Sequence, residues 1–352
     1  MLKVCILGAG KIGQALEFML RSVPLITKVT IVDCNKIITS DKILSEKFQI
    51  IDVSDENVLY SFIKKYDAVI SALPFHLNKT VASYCATLNI SYFDFTEDTD
   101  TTQYIKQIST NKTSTFMPQC GLAPGAINII AAGLINSFDG EIKSASLRVG
   151  ALPLTTTNQM RYYLSWNAAG VVNEYIQDCD AIYNKKHIKT RALADLETII
   201  IDGVEYECFN TSGGIATMCE TYINKINELN YKTIRYRGHC AHMKFLFDDL
   251  NLRNNPKFVE NLFKQEIPMT EDDVVIFYIS VIGYDKNNFI NRTYIRKIKP
   301  NNFSAIQIST AAGMASVIEL WTENKLGSGF ISQDSVNMND FLKTTWGRKI
   351  YG

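Results

Sequence analysis

The sharpest chemical signal in the chain is Gly8-Ala9-Gly10-Lys11-Ile12-Gly13, set between an apolar run, Lys3 to Leu7, and a segment of helical spacing that opens at Lys11. Gly8 permits a tight turn, Gly10 lets the backbone approach a pyrophosphate, and Gly13 lets helix and strand pack closely. Lys11 and Ile12 begin the helix, whose first amides and positive dipole end suit a phosphate. About twenty residues beyond Gly13, Asp33 closes a second apolar run, Lys28 to Val32, where a carboxylate accepts hydrogen bonds from adenosine ribose hydroxyls. Glycine turns alone are common; motif, strand context and acid together predict a dinucleotide site. Cys34 and Asn35 follow with no arginine to neutralise a 2′-phosphate, so the expected cofactor is NAD rather than NADP. Ala72, Leu73 and Pro74 close a fourth strand candidate and Asp52 a third, and all four are expected to border the cofactor.

Other polar residues have types suited to proton transfer or anion capture. Asp94, Glu97 and Asp98 lie at and just after a fifth strand candidate, where a carboxylate can bind an ammonium or accept its proton; a solvated acidic loop is the plain alternative. Cys120 ends a sixth strand candidate and is read as a proton-transfer or orienting group, although cysteine more often packs as an inert apolar residue. Arg235 and His239, in the segment Thr233 to His239, are expected to grip a carboxylate and relay a proton. Thr211, Ser212, Gly213 and Gly214 form a small-residue turn whose amides can approach a substrate, and Tyr162, Tyr163 and Trp166 are candidates for a pocket wall. His239 and His242 with Cys240 lack a second cluster of ligand spacing, so no metal is expected.

These residues need a scaffold. Apolar strand-length runs alternate with helical segments such as Asp55 to Lys65 and Asn78 to Leu88, the pattern of a parallel doubly wound sheet covered on both faces, an α/β Rossmann-type domain. After Gly125 the texture changes: Lys143 to Gly150, Thr198 to Ile201, Thr233 to Tyr236 and Val274 to Tyr284, with Arg292 to Ile298 as hairpin partner, predict a second α/β domain with a mixed or antiparallel sheet. Ala305 to Asn324 reads as one long helix returning to the first domain. The expected division is residues 1–122 with 304–352 for the dinucleotide domain, and 123–303 for substrate binding and dimerisation.

A composition 46% hydrophobic excludes a disordered chain, and 36 basic against 36 acidic residues leave no excess charge for general nucleic-acid or anionic-membrane binding. A small zwitterionic substrate suits this balance. Eight scattered cysteines without a CxxC pair, and no run long enough to span a bilayer, predict a reduced, cytoplasmic protein.

Cys120 to Asn128 (CGLAPGAIN), Phe209 to Gly214, Glu220 to Tyr222 and Tyr231 to His239 together resemble the saccharopine dehydrogenase family, and within it the lysine 6-dehydrogenase group. The resemblance spans nearly the whole chain. Gly150-Ala151 stands for a paired glycine, and Arg237 for a common proline that could reshape the substrate pocket. The resemblance implies a homodimeric, NAD-dependent amino-acid dehydrogenase that oxidises the ε-amine carbon of L-lysine to 2-aminoadipate 6-semialdehyde, which cyclises, with release of ammonia. Alternatives are saccharopine or carboxynorspermidine as substrate, or an NAD-binding regulator without turnover.

Overall fold

The computed structural model describes residues 2–37 and 41–352. They form two compact units, Met1–Ile129 with Ser309–Gly352, and Ile130–Ile308. The chain passes from one to the other inside two helices, α6 (Ala126–Asn136) and α11 (Ala305–Thr322), a few residues beyond the expected division.

The first unit holds β1 (Leu2–Leu7), β2 (Ile26–Asp33), β3 (Phe48–Ile50), β4 (Ala68–Ser71), β5 (Ser91–Asp94) and β6 (Thr115–Met117). With the short strand Gly329–Phe330 they make a seven-stranded parallel sheet in the order Gly329–Phe330, β6, β5, β4, β1, β2, β3. Its strands read as continuous apolar runs because both faces are covered. On one face Cys5, Leu7, Val69 and Tyr92 pack with Leu59, Phe62, Val81, Cys85 and Ile105 of α3 (Glu56–Ile63), α4 (Asn78–Leu88) and α5 (Thr99–Ile108). On the other, Gly13 of α1 (Lys11–Leu20) abuts Ile31, and Trp321 near the end of α11 meets Phe93 edge-on.

The second unit is built on β7 (Ile142–Pro153), β10 (Glu197–Ile201), β11 (Val204–Asn210), β12 (Ile226–Tyr236), β13 (Asp273–Asp285) and β14 (Asn288–Ile298), with a hairpin of β8 (Cys179–Tyr183) and β9 (Lys186–Thr190) beside β12. The sheet is mixed: β7 and β12 run parallel and every other pair is antiparallel. Tyr175, Phe209, Met243, Phe247, Val259 and Phe263 form a core with α7 (Ala168–Ile176), α9 (His239–Lys244) and α10 (Pro256–Glu266). No helix among the described residues is long and apolar enough to cross a membrane.

Candidate active site

In a parallel sheet the strand ends that carry ligands share one edge. At that edge of the first unit the loop after β1 turns through Gly8 at φ +100°, where an added Cβ would lie 2.6 Å from the Ala72 carbonyl oxygen. A Cβ on Gly13 would lie 2.0 Å from the Gly8 carbonyl oxygen, so strand and helix touch there. Gly10 differs: an added Cβ would meet nothing within 4 Å, so space stands open over the start of α1, and Gly10 caps that helix with no side-chain oxygen to occupy its first amides. Asp33 ends β2 with its carboxylate aimed back at the loop, Oδ2 accepting from the Ala9 N–H at 2.9 Å and Oδ1 from the Asn35 N–H at 3.0 Å. An open glycine cradle on a helix N-terminus, with an acid at the end of the second strand, fits a dinucleotide. Ala72 and Leu73 are half-buried beside the cradle and Pro74 is exposed. Asp52 is spent locally: it accepts from the Ser54 N–H and hydroxyl, which hold its carboxyl below the ordinary range, and makes the turn before α3 instead of the cofactor contact expected of it.

The acids after β5 divide sharply. Asp94 is wholly buried; Oδ1 accepts from the Thr96 and Gln119 N–H groups at 2.9 and 3.0 Å, and Oδ2 from the Tyr92 hydroxyl at 2.8 Å. Burial pushes its pKa up to about 6 against the pull of those donors. It clamps the ends of β5 and β6, holding Gln119 at φ +63°, and has no open face for a substrate proton, which corrects its expected catalytic role. Asp98 caps α5 through the Thr101 N–H at 2.7 Å. Glu97 is left half-buried, with no such bond, and burial followed by the nearby Asp98 charge raises its pKa to about 7. A carboxyl poised near neutrality at the ligand edge suits general base work. Cys120 is corrected as well: its thiol is buried, donates to the Met117 carbonyl at 3.1 Å, and is pushed well above the ordinary cysteine range by burial and then by Asp94, so it carries no thiolate.

The second unit gathers a different set of groups. Arg235 is 2% exposed and lies over the Tyr162 ring, 5.1 Å from its centroid. The Met160 carbonyl can only accept, so His239 Nδ1, 3.0 Å away, carries the proton. Nε2 then accepts from the Tyr175 hydroxyl at 3.0 Å, and that oxygen accepts from Arg235 Nε at 3.0 Å. Burial, then the Arg235 charge, lowers the His239 pKa to about 3. A neutral histidine locked at both nitrogens orients Tyr175 and Arg235; it relays no proton near neutrality, contrary to the sequence expectation.

The Arg235 guanidinium also donates to its neighbour's carbonyl, Ile234 O, and among the described residues makes no ion pair; Glu174 attracts it only at longer range. The Tyr162 hydroxyl feels this cation but has no hydrogen-bond partner of good geometry, and the buried Thr211 hydroxyl has none either. Ser212 fastens its turn to α7 through Glu174 O, and Gly213 turns at φ +90°. Arg237 points outward to Glu205 at 3.3 Å.

Two family models account for nearly all of this architecture. The saccharopine dehydrogenase NADP binding domain matches residues 4–118, and the saccharopine dehydrogenase C-terminal domain matches residues 121–331. The chain belongs to the saccharopine dehydrogenase family. Its curated relatives include the mitochondrial alpha-aminoadipic semialdehyde synthase of Mus musculus, 25% identical over 254 residues that make up 67% of this chain and 27% of that protein. The Bos taurus protein of the same name is 24% identical over 313 residues, 84% of this chain and 33% of its own. This chain thus spans about a third of the relatives' length or less. The apo saccharopine dehydrogenase (L-Glu forming) of Saccharomyces cerevisiae shares the fold, with a TM-score of 0.79 over 100% of this chain and 98% of that one at 16% identity.

Within this family member the two matched segments meet between residues 118 and 121, at the turn that Asp94 fastens. Sequence reasoning missed Tyr175, Gln119 and the Met160 carbonyl. Only Tyr175 left a signal, as the next buried step of the Val171, Val172 face of α7.

Proposed function

We propose that the chain is an NAD-dependent dehydrogenase that oxidises the ε carbon of L-lysine, converting the amine, NAD and water into 2-aminoadipate 6-semialdehyde, ammonium and reduced cofactor. The observation that carries this reading is Arg235, one buried guanidinium without a carboxylate partner, fixed by tyrosine and histidine as a grip for a single α-carboxylate. The other buried cations of its unit, Arg148 and Lys232, are both spent on Glu197. Glu97 takes a proton from the substrate ammonium, freeing the nitrogen lone pair that must push as the C–H bond breaks. The Gly8, Gly10 and Gly13 cradle would hold the pyrophosphate of the dinucleotide and Asp33 its ribose, and the bound nicotinamide would supply the hydride acceptor. Glu97 releases that proton to solvent and, ionised again, removes a proton from the water that adds to the iminium carbon; it returns this proton to the nitrogen, which leaves as ammonia and takes up the hydroxyl proton as ammonium. Asp33 favours NAD, because its carboxylate repels a 2′-phosphate.

A second reading keeps the carbon and changes the leaving group. The names of the relatives favour an N-substituted lysine, saccharopine, whose oxidation would release glutamate. Purified protein supplied with NAD or NADP and either amine at alkaline pH separates the two by absorbance of the reduced cofactor. Turnover of lysine supports the first reading; turnover of saccharopine alone replaces it with the second, and no turnover of either removes both.

A further inference from the structure

In the second unit, β8 pairs with β12 at Glu228 and Leu229, whereas β11 joins β12 only from Lys232 onward. Asn230 and Tyr231 therefore lie opposite neither strand, and the gap opens a crevice of about 310 Å³. Its polar wall carries Glu228, Asn230, Lys232 and Asp195; its apolar wall carries Ile182 and Ile188. Glu228, Asn230 and Lys232 alternate along β12 and project from the face opposite Arg235, so the crevice is separate from the carboxylate grip.

The charges there do not balance. Lys232 donates to the Asp195 carbonyl at 2.6 Å and to Glu197 at 2.8 Å, and Glu197 also pairs with Arg148. The Glu228 carboxylate makes no ion pair or hydrogen bond among the described residues, and the Asp195 carboxylate receives only the Asn210 amide, at 2.7 Å. Asn230 Oδ1 is buried without a partner. Two carboxylates against the single Lys232 cation, itself paired with Glu197 outside the lining, leave an acceptor-rich cleft with an aliphatic side.

We propose that this crevice binds a small aliphatic ammonium compound, its cation held by the Glu228 and Asp195 carboxylates and its methylenes lying along Ile182 and Ile188. Calorimetric titration of the full chain with cadaverine tests this, because cadaverine has no carboxylate for Arg235. Saturable binding is expected, absent with the uncharged isostere 1,5-pentanediol, and weakened about tenfold or more by Glu228→Gln and by Asp195→Asn, roughly the loss of one charge-assisted hydrogen bond. Asparagine tolerates the left-handed φ of +51° at position 195, so that variant keeps its backbone. No saturable binding, or equal affinity in both variants and the parent, overturns the proposal.

Discussion

Replacing Glu97 by glutamine tests the base assignment through two independent readouts. The carboxyl titrates at about 7 in the folded chain against an ordinary 4.5, because burial and then Asp98 disfavour its charge. Between those values the folded state binds more protons than the unfolded state, so stability present below pH 4.5 is lost as pH rises through 7. At about 1.4 kcal/mol per pKa unit the cost is at most about 3.5 kcal/mol, and less where solvent reaches the half-buried side chain. Glutamine carries no charge at any pH, so Glu97→Gln is expected to melt with the parent at pH 4.5 and above it at pH 8. Asp94 tilts both proteins alike, with a pKa raised to about 6 by burial.

The kinetic readout concerns log kcat/KM. In the parent it should climb with unit slope below pH 7, where Glu97 must be ionised to take the substrate's proton, and level off above it. The variant should lose the break near pH 7, and its kcat should fall by about 10²- to 10⁴-fold. An unchanged break, or a melting difference that does not grow with pH, would show that Glu97 is not the titrating base.

Three further outcomes follow from the geometry. Gly10→Ala should leave the melting temperature unchanged while weakening dinucleotide binding, whereas Gly13→Ala should cost roughly 1–3 kcal/mol of stability, because its new Cβ would meet the Gly8 carbonyl; melting scans and cofactor titrations would show equal effects if the cradle assignment is wrong. Asp33→Asn should weaken NAD about tenfold or more and NADP less, measured by fluorescence titration, and equal losses would refute the ribose contact. Tyr175→Phe removes both hydrogen bonds of the Arg235 clamp, so the amine KM should rise about tenfold with kcat little changed; an unaltered KM would remove Tyr175 from the substrate grip.

The parts of the fold that read clearly were those in which a local pattern coincides with burial. The continuous apolar runs of β1, β2 and β4 announced a doubly covered sheet, and the long alternation of β13 with β14 announced a hairpin. The β8–β9 hairpin escaped notice because its turn is Asn184-Lys185, both left-handed, without the glycine that usually marks such a turn. Much of β12 was also missed, since Ile226 to Lys232 mixes polar and apolar residues where its neighbours diverge. At the site, glycine spacing and Asp33 were legible because their chemistry is local. The separation of Glu97 from Asp94 was not: the two lie three positions apart, yet one is sealed by Tyr92, Thr96 and Gln119 while the other stays open. His239 and Cys120 likewise owe their states to buried partners, the Met160 and Met117 carbonyls, whose placement depends on the tertiary fold.

In the proposed reaction hydride leaves the ε carbon of a lysine skeleton for a bound nicotinamide. Incubating the protein with NAD and L-lysine deuterated at C6, then weighing the reduced cofactor by mass spectrometry, tests it most directly. Reduced nicotinamide carrying one deuterium is the expected product. Unlabelled reduced cofactor from the C6-labelled substrate, with deuterium transferred from C2-labelled lysine instead, would contradict it.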